Sequence, residues 1–339
     1  MRILARARWL VGVAALLLFA VLSLCVGPAG AADRPVVRVG VLKFGTVTWE
    51  LDTVRANHFD DEAGITLQLV ELAGNPATQV ALQAEAVDVI VSDWLWASRM
   101  RAAGTALSFI PYSTAVGALV VPNGSPIRTV GDLKGKRVGV AGSPLDKSWL
   151  LLKAVARDRH GLALEREAQA FFAAPPLLNR KLADGEFDAV LTFWPFAARL
   201  EAEGMRVVAS VADLLAALGL SAEVPALGYV FREEWAVKNP AALAGFQRAT
   251  ARAKSLLADS DSAWDRLTPL MQAENETVRL RLRDRYREGI PRRWGAEEQA
   301  AAARLYTLLA GLGGRDLVGD SPVIAEGVFW PGPAPNLAP

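Results

Sequence analysis

The sequence predicts an α/β fold of two similar lobes, each a mostly parallel sheet flanked by helices, joined by two crossing strands. Three observations carry this reading. Segments 82–104 (LQAEAVDVIVSDWLWASRMRAAG) and 182–204 (LADGEFDAVLTFWPFAARLEAEG) align without a gap, with seven of 23 positions identical. The shared residues are Leu82/Leu182, Asp88/Asp188, Trp94/Trp194, Ala97/Ala197, Arg99/Arg199, Ala102/Ala202 and Gly104/Gly204. A long-period echo of this kind marks two copies of one structural unit. Apolar strand-like runs also alternate with helical periodicity, the order that gives parallel sheets covered on both faces. Finally, Gly117–Val121 and the run 228–231 read as strands with no helix before them, and each is taken as a passage between lobes.

Each element has a local cause. Residues 36–44 (VVRVGVLKF) are a near-continuous apolar run, read as a buried strand. A helical stretch over 47–63 precedes Thr66–Leu72, which alternates as a second strand. Asn75-Pro76 opens a helix, with Asn75 as cap and Pro76 in the first turn, where a missing N–H is harmless. The first repeat copy then reads as helix end, turn at Asp88, strand 89–91 and new helix, followed by an apolar strand at 107–112. In the second lobe a short helix ends over 132–136 and Arg137–Ala141 is a strand. Gly142-Ser143-Pro144 opens a helix to residue 157, with Ser143 as cap and Asp146 three residues on. The second repeat copy and a strand at 206–209 complete this lobe, and helices dominate afterwards, near 240, 263–271, 277–288 and 296–312. Lobe one is thus 32–116 with 232–330, lobe two is 117–231, and the Pro-rich tail 331–339 is read as disordered. Two crossings let the lobes rotate about a double hinge without sliding apart, as a clamshell does.

Arg2, Arg6 and Arg8 precede an apolar run over 9–26 and the small-residue sequence Ala29-Gly30-Ala31, the pattern of a cleavable secretory signal over 1–31. An uncleaved anchor is the alternative reading. A lipid anchor at Cys25 is disfavoured, because Leu24 stands where lipoproteins carry a small residue. Loss of the three arginines leaves 34 basic residues against 36 acidic, a balance that argues against nucleic-acid binding. Cys25 leaves with the signal, so disulfide and thiolate chemistry are excluded from the remainder. A chain of this length buries about three quarters of its unfolded surface by packing alone.

The phrase Thr129-Val130-Gly131-Asp132-Leu133-Lys134-Gly135-Lys136-Arg137-Val138-Gly139-Val140 follows the first crossing strand. With the signal and the two lobes, it resembles bacterial extracytoplasmic solute-binding proteins of the type II periplasmic-binding fold. The echoed pattern L-x-x-G/E-x-x-D-x-hydrophobic at 82 and 182 is similar to their nitrate/sulfonate/taurine branch, which also holds binding proteins for thiamine-pyrimidine precursors. The first copy departs from it by carrying Glu85 where the second has Gly185. The resemblance spans about 36–310. It implies a periplasmic monomer without enzymatic turnover or cofactor. Such a protein captures a small molecule by hinge closure and delivers it to the permease and ATPase subunits of an ABC importer at the inner membrane. An aliphatic sulfonate or taurine-like ligand is the first expectation, a thiamine-pyrimidine-like heterocycle the second and nitrate the third. A ligand-presenting subunit of a sensor is another class. A pyrimidine-synthase-like enzyme is disfavoured, because that chemistry depends on His and Cys.

Open α/β sheets bind ligands at the carboxyl ends of their strands. In lobe one those positions are Lys43, Phe44, Gly45, Thr46 and Trp49, then Asn75, then Ser92, Asp93 and Trp94; in lobe two they are Ser143, Thr192 and Trp194. Gly45 suits a close backbone approach, or simply a turn. Ser92 and Thr192 are candidate donors to ligand oxygens, or helix caps. Trp49, Trp94 and Trp194 are candidate walls for a flat or apolar ligand, or core residues. Ser143 at a helix start is a candidate anion contact, with capping the preferred role. The acids Glu50, Asp93 and Asp146, near the expected mouth, disfavour a bare anion in a dry cleft, and Asp93 fits a ligand amine, or these acids simply face water. Lys43 is a candidate anion partner, or merely the edge of a strand. His58 and His160 have no partner at metal-ligand spacing, so no metal site is expected. No nucleophile elbow, phosphate loop or dinucleotide fingerprint is present. The seven arginines between 279 and 293 are interleaved with acids and read as a solvated helix face, with docking to a membrane partner the alternative.

Overall fold

The chain begins with β1 (Val36–Leu42), α1 (Val47–Ala56), β2 (Thr66–Leu72), α2 (Asn75–Gln83), β3 (Val89–Asp93), α3 (Trp94–Ala102) and β4 (Leu107–Ser113). It crosses as β5 (Gly117–Val121) into β6 (Arg137–Ala141), α4 (Lys147–His160), β7 (Gln169–Ala173), α5 (Pro175–Ala183), β8 (Ala189–Phe193), α6 (Trp194–Ala202), β9 (Arg206–Ser210) and α7 (Val211–Ala217). β10 (Leu227–Arg232) returns, and α8 (Pro240–Asp259), α9 (Glu276–Glu288) and α10 (Ala296–Val318) follow. This computed structural model describes residues 34–43 and 45–331; the expected signal segment, Phe44 and the tail beyond Pro331 lie outside the described residues. Among the described residues, no helix is long and apolar enough to cross a membrane.

The two sheets are ordered β2-β1-β3-β10-β4 and β7-β6-β8-β5-β9. In each, the crossing strand, β10 in the first and β5 in the second, lies antiparallel in the fourth place, between β3 and β4 or between β8 and β9. The rest follow parallel order because helices connect them. This is the two-lobe α/β architecture expected from the sequence. β10, read from the sequence as a crossing strand, hydrogen-bonds within the first sheet from Leu227 on, between β3 and β4. β7 is not legible as a strand in the sequence: its segment QAFFA lies at a sheet edge with Phe171 exposed, and lacks a buried apolar run. The helical stretch 47–63 divides at His58, which adopts a left-handed conformation.

The repeated residues perform repeated tasks. Asp88 and Asp188 each clamp an arginine on the matching strand of their own sheet, β1 and β6, each second in its strand order. Asp88 accepts from the Arg38 backbone N–H at 2.8 Å and from its guanidinium at 2.6 Å. Asp188 accepts from the Arg137 N–H at 2.8 Å and from its guanidinium at 3.1 Å, and those hydrogen bonds hold its carboxyl below the usual range. Position 85/185 is left-handed in both copies, with φ of 60° for Glu85 and 73° for Gly185. The first copy therefore tolerates strain, and its side chain reaches Arg232 at 2.7 Å. Asp88 is 3% exposed and Asp188 33%. Asp88→Ala is accordingly expected to cost about 2–3 kcal/mol and Asp188→Ala about 1 kcal/mol, since a buried donor left unpaired is the larger penalty. Urea midpoints at unchanged slope test this; equal losses would show that the burial difference does not matter.

The C-terminal helices tie the halves together. α9 packs against α6, and α10 packs against both α3 and α4. The arginines of α9 are paired rather than presented as a free face. Arg279 meets Glu276, Arg283 meets Asp261, Arg285 meets Glu201 and Glu288, and Arg287 meets Asp261.

Candidate functional site

Antiparallel insertion places the first residues of β5 and β10 at the same sheet edge as the last residues of β8 and β3. Gly117 lies opposite Phe193, and Leu227 opposite Asp93. The approach is close: a Cβ on Gly117 would stand 2.1 Å from the Thr192 carbonyl oxygen, so only glycine fits. Between these two edges lies a cavity of about 300 Å³. Asp93, Trp94 and Trp194 line it from the repeated strand tips, and Thr114–Ala118 and Ala222–Ala226 supply residues from the crossings. Lys147 and Glu201 come from α4 and α6, and Arg285 and Glu288 from α9. The rest is largely apolar, including Leu151, Val211, Leu215, Leu305 and Leu309.

The tips are pinned to the crossings. Trp94 Nε1 donates to the Pro225 carbonyl at 2.9 Å, and the Trp194 backbone N–H donates to the Val116 carbonyl at 3.0 Å. On the α9 side, the Gly289 carbonyl accepts from the Thr114 N–H at 2.9 Å. Glu201 of α6 accepts from Arg285 of α9 at 2.6 Å, a second bond across the gap.

Of the residues read from the sequence, Asp93, Trp94 and Trp194 line this cavity together. Lys43, Gly45 and Thr46 lie at the end of β1, Asn75 at the end of β2, and Ser143 at the end of β6, outside its lining. Ser92 and Thr192 are buried in their own sheets one and two residues short of it. Thr192 shares the face of Val190, beneath α5 and α6, and its Oγ1 makes no hydrogen bond among the described residues. Trp49 is buried behind Trp194: the rings meet edge-on at 6.0 Å, and Trp49 Nε1 donates to the Leu270 carbonyl at 3.3 Å. Trp96 is buried within its lobe.

Three readings of local role change. Ser143 does not cap α4; its Oγ accepts from the Leu145 N–H, and Asp146 is the cap, accepting from Ser148 N–H at 2.9 Å. Asn75 makes no side-chain cap to α2, which Gly74 precedes. Glu50 does not face the cleft but is wholly buried, bonded to Lys254, Tyr229 and Tyr286.

The sequence reading missed Lys147, Glu201 and Arg285. Once Asp146 is the cap, Lys147 becomes the first helical residue, and the Asp-Lys-Ser-Trp spacing could have shown this. Its ammonium crosses from α4 to Asp93 Oδ2 at 3.1 Å. Burial pushes the Asp93 carboxyl up, but Lys147 and the Trp96 N–H outweigh it and leave the group below its ordinary value. Lys147 is raised, chiefly by Asp93. Burial raises Asp146.

Comparison with known proteins places this geometry. The chain matches the family described as NMT1/THI5 like over residues 56–262. Among curated proteins none matches. The fold is that of the periplasmic aliphatic sulphonate binding protein SsuA from Escherichia coli, at 19% identity and a TM-score of 0.70, covering 88% of this chain and 92% of that one. The alkanesulfonate-binding protein SsuA from Xanthomonas axonopodis pv. citri, bound to MOPS, aligns at 20% identity and a TM-score of 0.66, covering 88% and 99%. The desulfurization enzyme DSZB shares the fold as well, at 17% identity and a TM-score of 0.57, covering 87% and 98%. The matched segment takes in both repeat copies and both crossing strands: the chain belongs to the NMT1/THI5-like family.

Proposed function

We propose that the protein is the extracytoplasmic substrate-binding component of an ABC importer, holding a small organic ligand between its two lobes. One observation carries this reading: matched strand tips from two pseudo-symmetric sheets meet around a shared, mostly apolar cavity of about 300 Å³. Pockets of that size and lining, with a few convergent polar groups, suit small organic molecules. A ligand that touches both tips favours the closed arrangement by its differential affinity for it. A binding role is favoured over turnover because neither histidine lines the cavity, and its serines, Ser148 and Ser210, stand there without an imidazole partner. Ser210 is occupied in capping α7. Residence in the periplasm and docking to an inner-membrane permease with its ATPase belong to the same proposal.

The finer reading is an aliphatic sulfonate or a taurine-like compound. An apolar wall beside a confined charged pair suits an amphiphilic molecule, and the sulfonate-binding proteins above share the fold. Trp94 and Trp194 also suit a planar heterocycle, the second reading. A thermal-shift panel on the exported protein tests both. A true ligand at a hundred times its dissociation constant stabilises by about 2.7 kcal/mol, a rise of roughly 4–5 °C at this chain length. Alkanesulfonates are expected to give that rise and nitrate none. A shift only with pyrimidines or only with nitrate refutes the sulfonate reading.

A further inference from the structure

The most informative charged feature of the cavity is a pair supplied by different lobes. Asp93 ends β3, caps α3 through Oδ1 and receives Lys147 Nζ on Oδ2 at 3.1 Å. Lys147 is the first residue of α4, where the helix dipole disfavours a cation. Helix stability therefore does not explain its placement, while proximity to Asp93 and the cavity does. Side-chain exposures of 35% for Lys147 and 21% for Asp93 leave both reachable from the cavity yet poorly solvated. The other ion pairs lining the space are closed on themselves, Glu201 and Glu288 both meeting Arg285. At the pseudo-symmetric tip, Phe193 replaces Asp93, so lobe two offers no second carboxylate there.

We propose that Asp93 and Lys147 are the specificity-determining pair, and that they select ligands carrying an ammonium at one end and an acid group at the other. This rests on the binding role proposed above. Such a zwitterion exchanges one ion pair for two: its acid group takes Lys147 and its ammonium takes Asp93. A plain anion takes Lys147 but leaves the Asp93 carboxylate half-buried beside it, unpaired and repelling. The apolar wall between Trp94 and Trp194 then accommodates the connecting carbons.

Calorimetric titration of the exported protein tests this with matched probes: taurine against ethanesulfonate, 3-aminopropanesulfonate against propanesulfonate, and β-alanine against propionate. The amino member of a series that binds is expected to be about 10- to 100-fold tighter than its partner. Asp93→Asn keeps a competent helix cap. In that variant the amino members weaken, the plain acids tighten, and the ratio collapses toward one. Lys147→Met weakens both members. Unchanged melting temperatures in both variants exclude misfolding as the cause. A ratio near one in the unsubstituted protein overturns the selectivity and leaves the sulfonate reading standing. A ratio that survives Asp93→Asn overturns the assignment of Asp93. Preference within the carboxylate pair, with no sulfonate bound, supports the charged pair and refutes the sulfonate reading. Binding of none of the six refutes both.

Discussion

Glu50→Gln is expected to lower the unfolding free energy by about 3–5 kcal/mol, the cost of stripping the partner from a buried ion. Glu50 is 0% exposed and Lys254 5%. The carboxylate holds Lys254, accepts from Tyr229 Oη at 2.5 Å and accepts from Tyr286 Oη at 2.9 Å. Burial beside that charge raises both phenols well above their ordinary range, so they remain donors. Burial lowers the Lys254 ammonium, and only Glu50 opposes it. Further support comes from the Tyr112 and Tyr229 rings, 4.3 Å and 5.5 Å from Lys254 Nζ, which supply cation–π contacts but no acceptor. A glutamine retains one oxygen and turns an amide toward a cation. Adding Lys254→Met should recover part of the loss, because the orphaned charge disappears while the phenols keep one acceptor. Urea unfolding of both single variants and the double variant measures this coupling. A Glu50→Gln loss below about 1 kcal/mol, or simple additivity, refutes it. The cluster joins α1 to α8 and α9, and α9 carries Arg285 across to Glu201, so the same residues brace one side of the cleft.

The fold was legible because its signals are local and duplicated. The strand cores at 89–91 and 189–191, the turn aspartates and the closing glycines Gly104 and Gly204 announce themselves by apolar runs and left-handed turns. Pairing order was partly legible, since strands without a preceding helix must come from elsewhere. The edge strand β7 was not, because half of it faces solvent and no alternation survives in QAFFA. Site residues separate by the same logic. Asp93, Trp94 and Trp194 sit at strand tips, which a strand count locates. Lys147 requires the helix start to be fixed within one residue, and choosing Ser143 over Asp146 as cap moves that start by three. Glu201 and Arg285 meet over a sequence separation of 84 residues, through packing of α6 on α9 that no local pattern encodes. Glu50 was misplaced for a related reason: its three partners come from α8, α9 and β10, all distant in the chain.

Trp194→Ala is expected to weaken ligand binding by about 10- to 100-fold, the equivalent of removing an aromatic wall worth about 1.5–3 kcal/mol of burial. Trp194 is the repeat aromatic that lines the cavity in lobe two, and it is only partly buried. Its loss should cost stability little beyond its edge-on contact with Trp49, about 0.5–1.5 kcal/mol. Trp49 should behave in the opposite way. It is 4% exposed, lies outside the cavity lining, and packs against Trp264 and Tyr286 at 6.0 Å each. Trp49→Ala should therefore cost about 3–5 kcal/mol of stability, with affinity reduced only through a less firmly backed Trp194. Calorimetry with the alkanesulfonate giving the largest thermal shift, paired with urea unfolding, separates the two effects. Trp194→Phe should restore most of the affinity if ring surface is what matters. If Trp194→Ala leaves affinity unchanged, the ligand does not lie against this wall. The cavity between the sheet tips is then the wrong place to look, and the β1 and β6 loops around Thr46 and Ser143 become the place to test.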